Sequence, residues 1–444
     1  MYKVYFITFG CKVNQYETES LKTSFKKKGY EVSDRQDSAD VVVINSCTVT
    51  EYGDNDVLSA LRKVRKKLPS AVIVLTGCYP QADRKSAENL SEADIITGTK
   101  NRSEIPLLVT EYLEKHSRKI SVPDYSVNDP FENLDCPSFE KNTRTFMKIQ
   151  DGCNQFCTYC IIPYTRGRCR SRSLESVREE AENSARLGKK EIVLTGINLA
   201  FYGMEYGADL ADAVEVCAGV DGIERIRLGS LEPEKMSDDL LERLSAVGKL
   251  CPHFHLSLQS GCNRTLRAMN RHYTSEEYFS LVQKIRQFFP ECSFTTDVMV
   301  GFPDETDEDF RESVKFVQKI GFSRVHIFRY SRRKGTPADR MSNQIPEHIK
   351  TSRAAAMSKA AAQSEEKYLK SLVGKTVKVL FERENCTEFH RGYAEDYTLI
   401  KIPRENSEKS LRNELIYVTI EESRSDFCTG RIADGYSPDL MTGQ

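Results

Sequence analysis

Three cysteines fall within eight residues in the run Cys153-Asn154-Gln155-Phe156-Cys157-Thr158-Tyr159-Cys160, directly after the apolar run Phe146–Gln150. The spacing is C-x3-C-x2-C. Three thiolates cannot complete zinc's tetrahedron by themselves. They can hold three irons of a [4Fe–4S] cube and leave the fourth iron open to a small molecule. Gly152 ahead of the run, with Phe156 and Tyr159 inside it, suits a tight loop that keeps water away. Spacing alone leaves two other readings open: a zinc site closed by Cys169 or a histidine, and buried thiols with no common ligand.

A second set of cysteines is dispersed over the first 80 residues, in Gly10-Cys11, Asn45-Ser46-Cys47 and Gly77-Cys78. Each follows a short β-branched or aromatic run: Val4–Phe9, Val41–Asn45 and Val72–Thr76. Such runs read as buried parallel strands. Between the second and third, Val57, Leu61, Val64 and Leu68 share one helical face, and Pro69 stops the helix. Strand, helix and strand with right-handed crossovers make a doubly wound sheet, whose carboxyl ends line one edge. Three cysteines at equivalent strand ends can therefore meet at a second site, although any one of them could serve as a small buried hydrophobe.

The loop of the first trio is positioned by a second alternation of strands and helices, from Arg144 to about Arg333. Its expected strands are Phe146–Gln150, Ile192–Thr195, Ile226–Gly229, Phe254–Leu258, Phe294–Met299 and Val325–Tyr330. One helix between them is readable in full: Ser173 caps it, Leu174, Val177 and Ala181 face inward, and Gly188 supplies the exit. Six such units make an open, partial (β/α)6 barrel whose reactive end is the carboxyl edge of its strands. The expected layout is an α/β domain over 1–117, a Pro- and Asn-containing linker over 118–142, the partial barrel with an Ala-rich connecting helix over 143–370, and a small antiparallel β-barrel over 371–437.

Composition bounds the setting. The chain has 444 residues, 64 Lys+Arg against 65 Asp+Glu, 14 Cys, no Trp and 39% hydrophobic residues. That is ample for packed cores, and the near-zero net charge excludes a uniformly basic coat. No apolar run approaches the ~18–20 residues that span a bilayer, and the first residues are too short a run for a secretory signal. A cytoplasmic protein is expected, where reduced thiols point to metal or catalytic chemistry before disulfides.

Several of these segments resemble one family. Phe9-Gly10-Cys11-Lys12-Val13-Asn14-Gln15-Tyr16-Glu17, Asn45-Ser46-Cys47-Thr48-Val49-Thr50 and Thr76-Gly77-Cys78 look like the N-terminal domain of the radical S-adenosylmethionine methylthiotransferases. So do Phe146 through Arg168, Leu228 through Pro233, Leu258-Gln259-Ser260-Gly261 and Asp297 through Thr306. The resemblance covers nearly the whole chain, and the C-terminal barrel resembles a TRAM domain. It implies a [4Fe–4S] cluster on each trio (Cys11, Cys47 and Cys78; Cys153, Cys157 and Cys160). It also implies S-adenosyl-L-methionine chelated to the open iron of the second, and replacement of a C–H hydrogen by S–CH3. The cofactor would sit among Gly196, Asn198, Ser230, Glu232, Gln259, Ser260, Gly301 and Pro303 at the strand ends, where carboxylate, amide and hydroxyl groups can hold ribose and amine. Ordinary turn chemistry would also explain those residue types.

Charge speaks to the substrate. Residues 141–172 hold Lys141, Arg144, Lys148, Arg166, Arg168, Arg170 and Arg172 against Asp151 alone, a net +6. Arg62 and Arg65, with Lys63, Lys66 and Lys67, make a second basic run. Both are expected RNA-contacting patches, the second also readable as a solvated helix face. Residues 371–444 carry ten Lys+Arg against thirteen Asp+Glu, so RNA binding there needs a local patch or stacking on Phe389 or Tyr393. The reading is a tRNA methylthiotransferase, more similar to the branch acting on N6-threonylcarbamoyladenosine than to the isopentenyladenosine branch. A methylthiotransferase for a ribosomal-protein aspartate is the same-fold alternative, and a non-catalytic iron–sulfur RNA-binding or electron-transfer protein the different-class one. Expected partners are tRNA and a reducing electron donor, on a monomer with no membrane attachment. Cys136, Cys169, Cys217, Cys251, Cys262, Cys292, Cys386 and Cys428 read as incidental, and the spacing of His253 and His255 demands no metal.

Overall fold

Six short parallel strands open the chain: β1 Lys3–Thr8, β2 Glu31–Val32, β3 Val41–Ser46, β4 Val72–Gly77, β5 Ile95–Thr97 and β6 Lys119–Ser121. The structure is a computed structural model describing residues 1–137, 139, 142–383, 388–404 and 409–434. Lys141, Cys386 and the end of the 371–437 segment lie outside the described residues.

The sheet order is β2-β1-β3-β4-β5-β6, the doubly wound arrangement expected. Every residue of β3 and β4 is buried, which explains their unbroken apolar reading. Helix α1 (Lys12–Lys27) follows β1 and α2 (Glu51–Lys67) follows β3. On α2, Val57, Leu61 and Val64 are buried against the sheet, each contributing about 1.5–3 kcal/mol. The Thr50 hydroxyl caps its start by accepting from the Gly53 amide. β5 and β6 carry too few residues to show a pattern, and β6 lies within the stretch whose sequence reads as linker.

The central strands are β7 Thr145–Lys148, β8 Gln150–Asp151, β9 Arg170–Ser171, β10 Glu191–Thr195, β11 Arg225–Leu228, β12 Ser230–Leu231, β13 His253–Leu256, β14 Ser293–Val300 and β15 Arg324–Arg329. They form two parallel ladders, β11-β10-β7 and β12-β13-β14-β15. β12 continues the line of β11 two residues on, so six strands make up the partial barrel. Its core runs from Met147 and Ile192 through Leu228 and Phe254 to Val298. The helix Leu174–Arg186 behaves as its sequence reads: the Ser173 hydroxyl accepts from the Ser176 amide, and Val177 and Ala181 are buried. β8 and β9 pair antiparallel, Gln150 opposite Ser171 and Asp151 opposite Arg170, and so close the base of the loop that carries Cys153, Cys157 and Cys160.

The helix Glu347–Lys370 leads to a closed five-stranded barrel of β16 Thr376–Phe381, β17 Phe389–Ala394, β18 Leu399–Pro403, β19 Leu415–Ser423 and β20 Cys428–Ile432. The expectation of a purely antiparallel barrel is corrected at one seam, since β18 and β20 pair parallel. This barrel seats on the central one through main-chain oxygens. Arg225 donates to the Tyr393 carbonyl at 3.1 Å, and Arg227 to those of Glu395 at 2.8 Å and Ala394 at 3.1 Å. Fully buried Glu191 balances Arg144, Arg225 and Arg227 at 3.6, 3.2 and 3.1 Å.

Candidate active site: two cysteine trios around one cavity

The first trio is brought together by the sheet. Cys11, Cys47 and Cys78 stand just beyond β1, β3 and β4, adjacent strands whose carboxyl ends meet. Strand order reverses beside β1, the place where doubly wound sheets open a crevice. Gly10, at φ +97°, lies so close to Cys47 that an added Cβ would sit 2.7 Å from its Cβ and 2.8 Å from its Sγ. Asn14 ties the ends together. Its Nδ2 donates to the carbonyls of Phe9 (2.8 Å) and Ser46 (3.0 Å), and the Cys11 thiol points at its Oδ1 at 3.8 Å. Burial pushes the Cys78 thiol up to about 11, against the opposing pull of Arg166. Cys47 is raised too, chiefly by burial and also by Cys11. Gly10→Ala is therefore expected to lower stability by about 1–2 kcal/mol from the left-handed backbone alone, and to reduce metal bound by the first trio. A denaturation midpoint and an iron determination check it.

The second trio sits on the loop closed by β8 and β9. The Cys153 amide donates to the Gly167 carbonyl at 3.1 Å. Gly152, at φ +70°, admits the backbone of Gly167 and Arg168 where no Cβ would fit. N–H groups converge on the sulfurs: the Gln155 amide (3.5 Å) and Asn198 Nδ2 (3.9 Å) on Cys153, and Arg271 Nη1 on Cys157 (3.3 Å). Burial raises Cys160 and Cys153, and Cys157 raises both further. Among the described residues no three groups stand at closed metal-ligating geometry. The donor set nevertheless suits a sulfur-ligated cluster, because each thiol has N–H donors or cations at hand to stabilise thiolate charge. Cys169, the one spare thiol considered, instead accepts from Gln150 Nε2 at 3.0 Å, with burial pushing it up to about 12.

Between the trios lies a buried ion lattice. Glu17 of α1 takes Lys148 and Arg166 at 2.8 Å and Arg102 at 3.1 Å. Asp151 of β8 takes Lys148 at 2.6 Å, Arg166 at 3.1 Å and Arg170 at 3.4 Å. Four cations face two carboxylates, leaving two positive charges in excess beside Cys47 and Cys78. An anionic metal–thiolate group there would meet compensating charge.

This lattice corrects the expected RNA patch. Arg166 (1% exposed), Arg170 (7%) and Arg172 (3%) are turned inward, Arg172 onto Glu180, so none faces a phosphate. Arg144 and Lys148 are buried in ion pairs as well. Arg168 remains exposed, its guanidinium 4.7 Å from the Phe156 ring centre. Arg65 is also structural: it binds Asp94 and the carbonyls of Glu92, Pro69 and Ala71. Arg62 is exposed, with Glu92 at 3.9 Å. The Tyr393 ring stacks on Tyr397 at 5.1 Å under the Arg144 guanidinium, so it is not a free platform. Phe389 is half-buried on β17.

Two adjoining cavities open at the carboxyl ends of the barrel strands. The larger, about 500 Å³, is lined by Cys11, Lys12, Gly196, Ser230, Asp297 and Tyr397 among others. The smaller, about 210 Å³, is lined by Cys160, Tyr159, Gln259, Met299 and Tyr330. Val49, Ile162 and Asp297 border both. Of the expected cofactor residues, Gly196 and Ser230 thus line one cavity and Gln259 the other. Asn198 and Glu232 stand against the Cys153 loop, Asn198 on Cys153 and Glu232 on Arg271. The Asn198 Oδ1 is buried without a hydrogen-bond partner among the described residues, as an atom awaiting a ligand donor would be. Gly301 and Pro303 line neither cavity. The Gly301 amide donates to Glu305 at 2.8 Å, and Lys350 packs where a Cβ would stand. Ser260 is likewise buried, accepting from the Cys262 amide at 3.2 Å.

Two positioning residues were missed by the sequence reading. Gln150 accepts from the Asn198 amide (2.7 Å) and donates to the Gly152 carbonyl (2.8 Å), locking the second strand end to the cysteine loop. Arg271 spans Glu232 and Cys157. A buried polar residue at a strand end was the available signal for Gln150; nothing local marks Arg271.

Comparison with known proteins agrees with this geometry. The Radical SAM superfamily matches residues 147–317, and Uncharacterized protein family UPF0004 matches residues 3–98. A relative from Aquifex aeolicus, named threonylcarbamoyladenosine tRNA methylthiotransferase MtaB, is 40% identical over 90% of this chain and 99% of its own. One from Alkaliphilus oremlandii, named tRNA-2-methylthio-N(6)-dimethylallyladenosine synthase, is 35% identical over 97% and 93%. Among solved structures, the radical S-adenosylmethionine methyltransferase TsrM from Kitasatospora setae superposes with TM-score 0.57 at 14% identity, covering 76% of this chain and 77% of that one, a likeness of fold. With a cysteine trio on each of two α/β units and near-full-length relatives at this identity, the chain belongs to the radical S-adenosylmethionine methylthiotransferases.

Proposed function

We propose that the chain methylthiolates C2 of N6-threonylcarbamoyladenosine beside the anticodon of tRNA, with one [4Fe–4S] cluster on Cys11, Cys47 and Cys78 and another on Cys153, Cys157 and Cys160. The observation that carries this reading is the shared cavity wall. Cys11 borders the larger cavity, Cys160 the smaller, and Val49, Ile162 and Asp297 belong to both. Clusters and S-adenosyl-L-methionine held there would supply a radical able to remove an unactivated C–H hydrogen, and sulfur to replace it.

The chain's own residues do the remaining work. Asn198 and Gln259 offer amides to the cofactor, and Glu232, held by Arg271, offers a fixed carboxylate. The lattice around Glu17 sets one trio against the other. Tyr159 and Phe302, packed edge to face at 6.5 Å, line the apolar side of the cysteine loop and exclude water. Phosphates of the RNA are met by exposed Arg168 and, further out on α2, by Arg62, Lys63 and Lys66, so binding weakens with salt.

The choice of substrate follows the more similar relative, at 40% against 35% identity. A protein of this kind acts in the cytoplasm on tRNA and draws on a reducing electron donor. No helix among the described residues is long and apolar enough to cross a membrane. Nucleosides from tRNA of a deletion strain are expected to lose the 2-methylthio derivative of N6-threonylcarbamoyladenosine and regain it on complementation, as read by mass spectrometry. An unchanged profile overturns the tRNA reading, and loss of the isopentenyl derivative instead redirects it to that branch.

A further inference from the structure

Three cationic side chains other than histidine line the larger cavity: Lys12, Arg227 and Arg324. Arg227 is committed to Glu191 at 3.1 Å, and Arg324 to Glu365 at 3.1 Å. Lys12 has no carboxylate partner among the described residues. Its ammonium stands 5.8 Å from the ring centre of Phe146 on β7 and 5.7 Å from that of Tyr397, half-buried between two aromatic faces. Such faces favour a cation yet leave its N–H donors unused, so the group is poised for an anion.

None of the four carboxylates lining the same cavity pairs with Lys12, and the exposed Asp426 at its rim accepts from the Ser425 hydroxyl at 3.2 Å. Asp297 lies 3.4 Å from His255, Asp396 accepts from Tyr368 (2.6 Å) and Thr398 (2.7 Å), and Glu365 holds Arg324. Thr295 bonds both His253 and His255. Burial and nearby Arg227, His255 and Lys12 hold His253 well below the ordinary imidazole value, so it adds no competing charge at neutral pH.

We propose that the Lys12 ammonium pairs with the carboxylate of the threonine arm on the substrate adenine, and so selects an acidic N6 substituent over an apolar one. This rests on the substrate reading above and names the group that enforces it. The geometry agrees with the chemistry. Lys12 directly follows Cys11, and C2 of adenine is separated from the carbon bearing N6 by one ring nitrogen. An arm anchored at Lys12 keeps the adenine in the cavity that Cys11 of the first trio also lines. An apolar arm would instead bury the ammonium with no partner, at a cost that an acidic arm avoids.

The test measures binding by anaerobically reconstituted protein to three anticodon stem–loop RNAs. One carries N6-threonylcarbamoyladenosine, one its threonine carboxamide, and one unmodified adenosine. Parent, Lys12→Met and Lys12→Arg are compared at equal iron content. The parent is expected to bind the acid about tenfold more tightly than the amide. Lys12→Met should abolish that ratio by weakening the acid alone, and Lys12→Arg should keep it. A ratio retained in Lys12→Met, or a loss shared equally by acid and amide, overturns the role of Lys12 while leaving the substrate reading intact. A parent that binds the acid no better than unmodified RNA overturns the substrate reading itself.

Discussion

Glu17→Leu is expected to lower the stability of the chain by about 3–5 kcal/mol, because it strands buried Arg102 and leaves Lys148 and Arg166 to share Asp151 with Arg170. Glu17 is 0% exposed, and its partners Lys148, Arg166 and Arg102 are 3%, 1% and 1% exposed. Burial alone would raise its carboxyl above the ordinary 4.5, but Arg102, Arg166 and Lys148 outweigh burial and hold it at about 2. A depressed carboxylate stabilises the fold at pH values above its unfolded value, and that contribution fades as pH falls through the folded one. Glu17 thus contributes fully above about pH 4.5 and progressively less toward pH 2. Glu17→Gln keeps the shape and removes the charge, so it should show the same loss at neutral pH and a flatter acid limb. Denaturant midpoints from pH 2 to 7 check both. A Glu17→Leu protein within about 1 kcal/mol of the parent would show that the lattice does not hold the units together.

Cys153→Ala and Cys11→Ala are each expected to lose about half the iron and sulfide of the anaerobically reconstituted parent, since each breaks one three-thiolate set and spares the other. Either variant should also lose methylthiolation altogether, for different reasons. Without Cys153 no 5′-deoxyadenosine should form from S-adenosylmethionine and reductant, whereas Cys11→Ala should still form it. Cys169→Ala should keep its iron, because that thiol is turned toward Gln150. Unchanged iron in Cys11→Ala would reduce the count to one cluster, and lost iron in Cys169→Ala would revive a fourth protein ligand.

Much of the fold was legible because its signals are local. The runs at Val41–Asn45 and Val72–Thr76 are apolar without alternation, and only strands covered on both faces stay that way. Ser173, Val177, Ala181 and Gly188 sit at cap, face and exit positions of one helix and need no distant partner to be recognised. The cysteines were legible for the same reason: strand ends are local, and parallel order brings them together.

The charges were not. Arg166 reads as part of a basic stretch because Glu17 lies 149 residues away, in a different sheet unit. The sign of a local patch holds no information about carboxylates contributed from elsewhere, so most of the net +6 over 141–172 described packing, and of its described cations only Arg168 stays exposed. Arg172 fails differently, since Glu180 is eight residues ahead and faces it only because a strand turns into a helix. Gly301 is ambiguous through its type: a flexible residue at a strand end suits a ligand or a packed lysine equally, and Lys350 packs beside it.

The way Arg225 and Arg227 reach the C-terminal barrel has an evolutionary corollary. They grip peptide oxygens at Tyr393, Ala394 and Glu395, atoms that every residue type provides. Those three bonds are therefore indifferent to side-chain identity, so substitutions at 393–395 can accumulate while this part of the mounting is inherited unchanged.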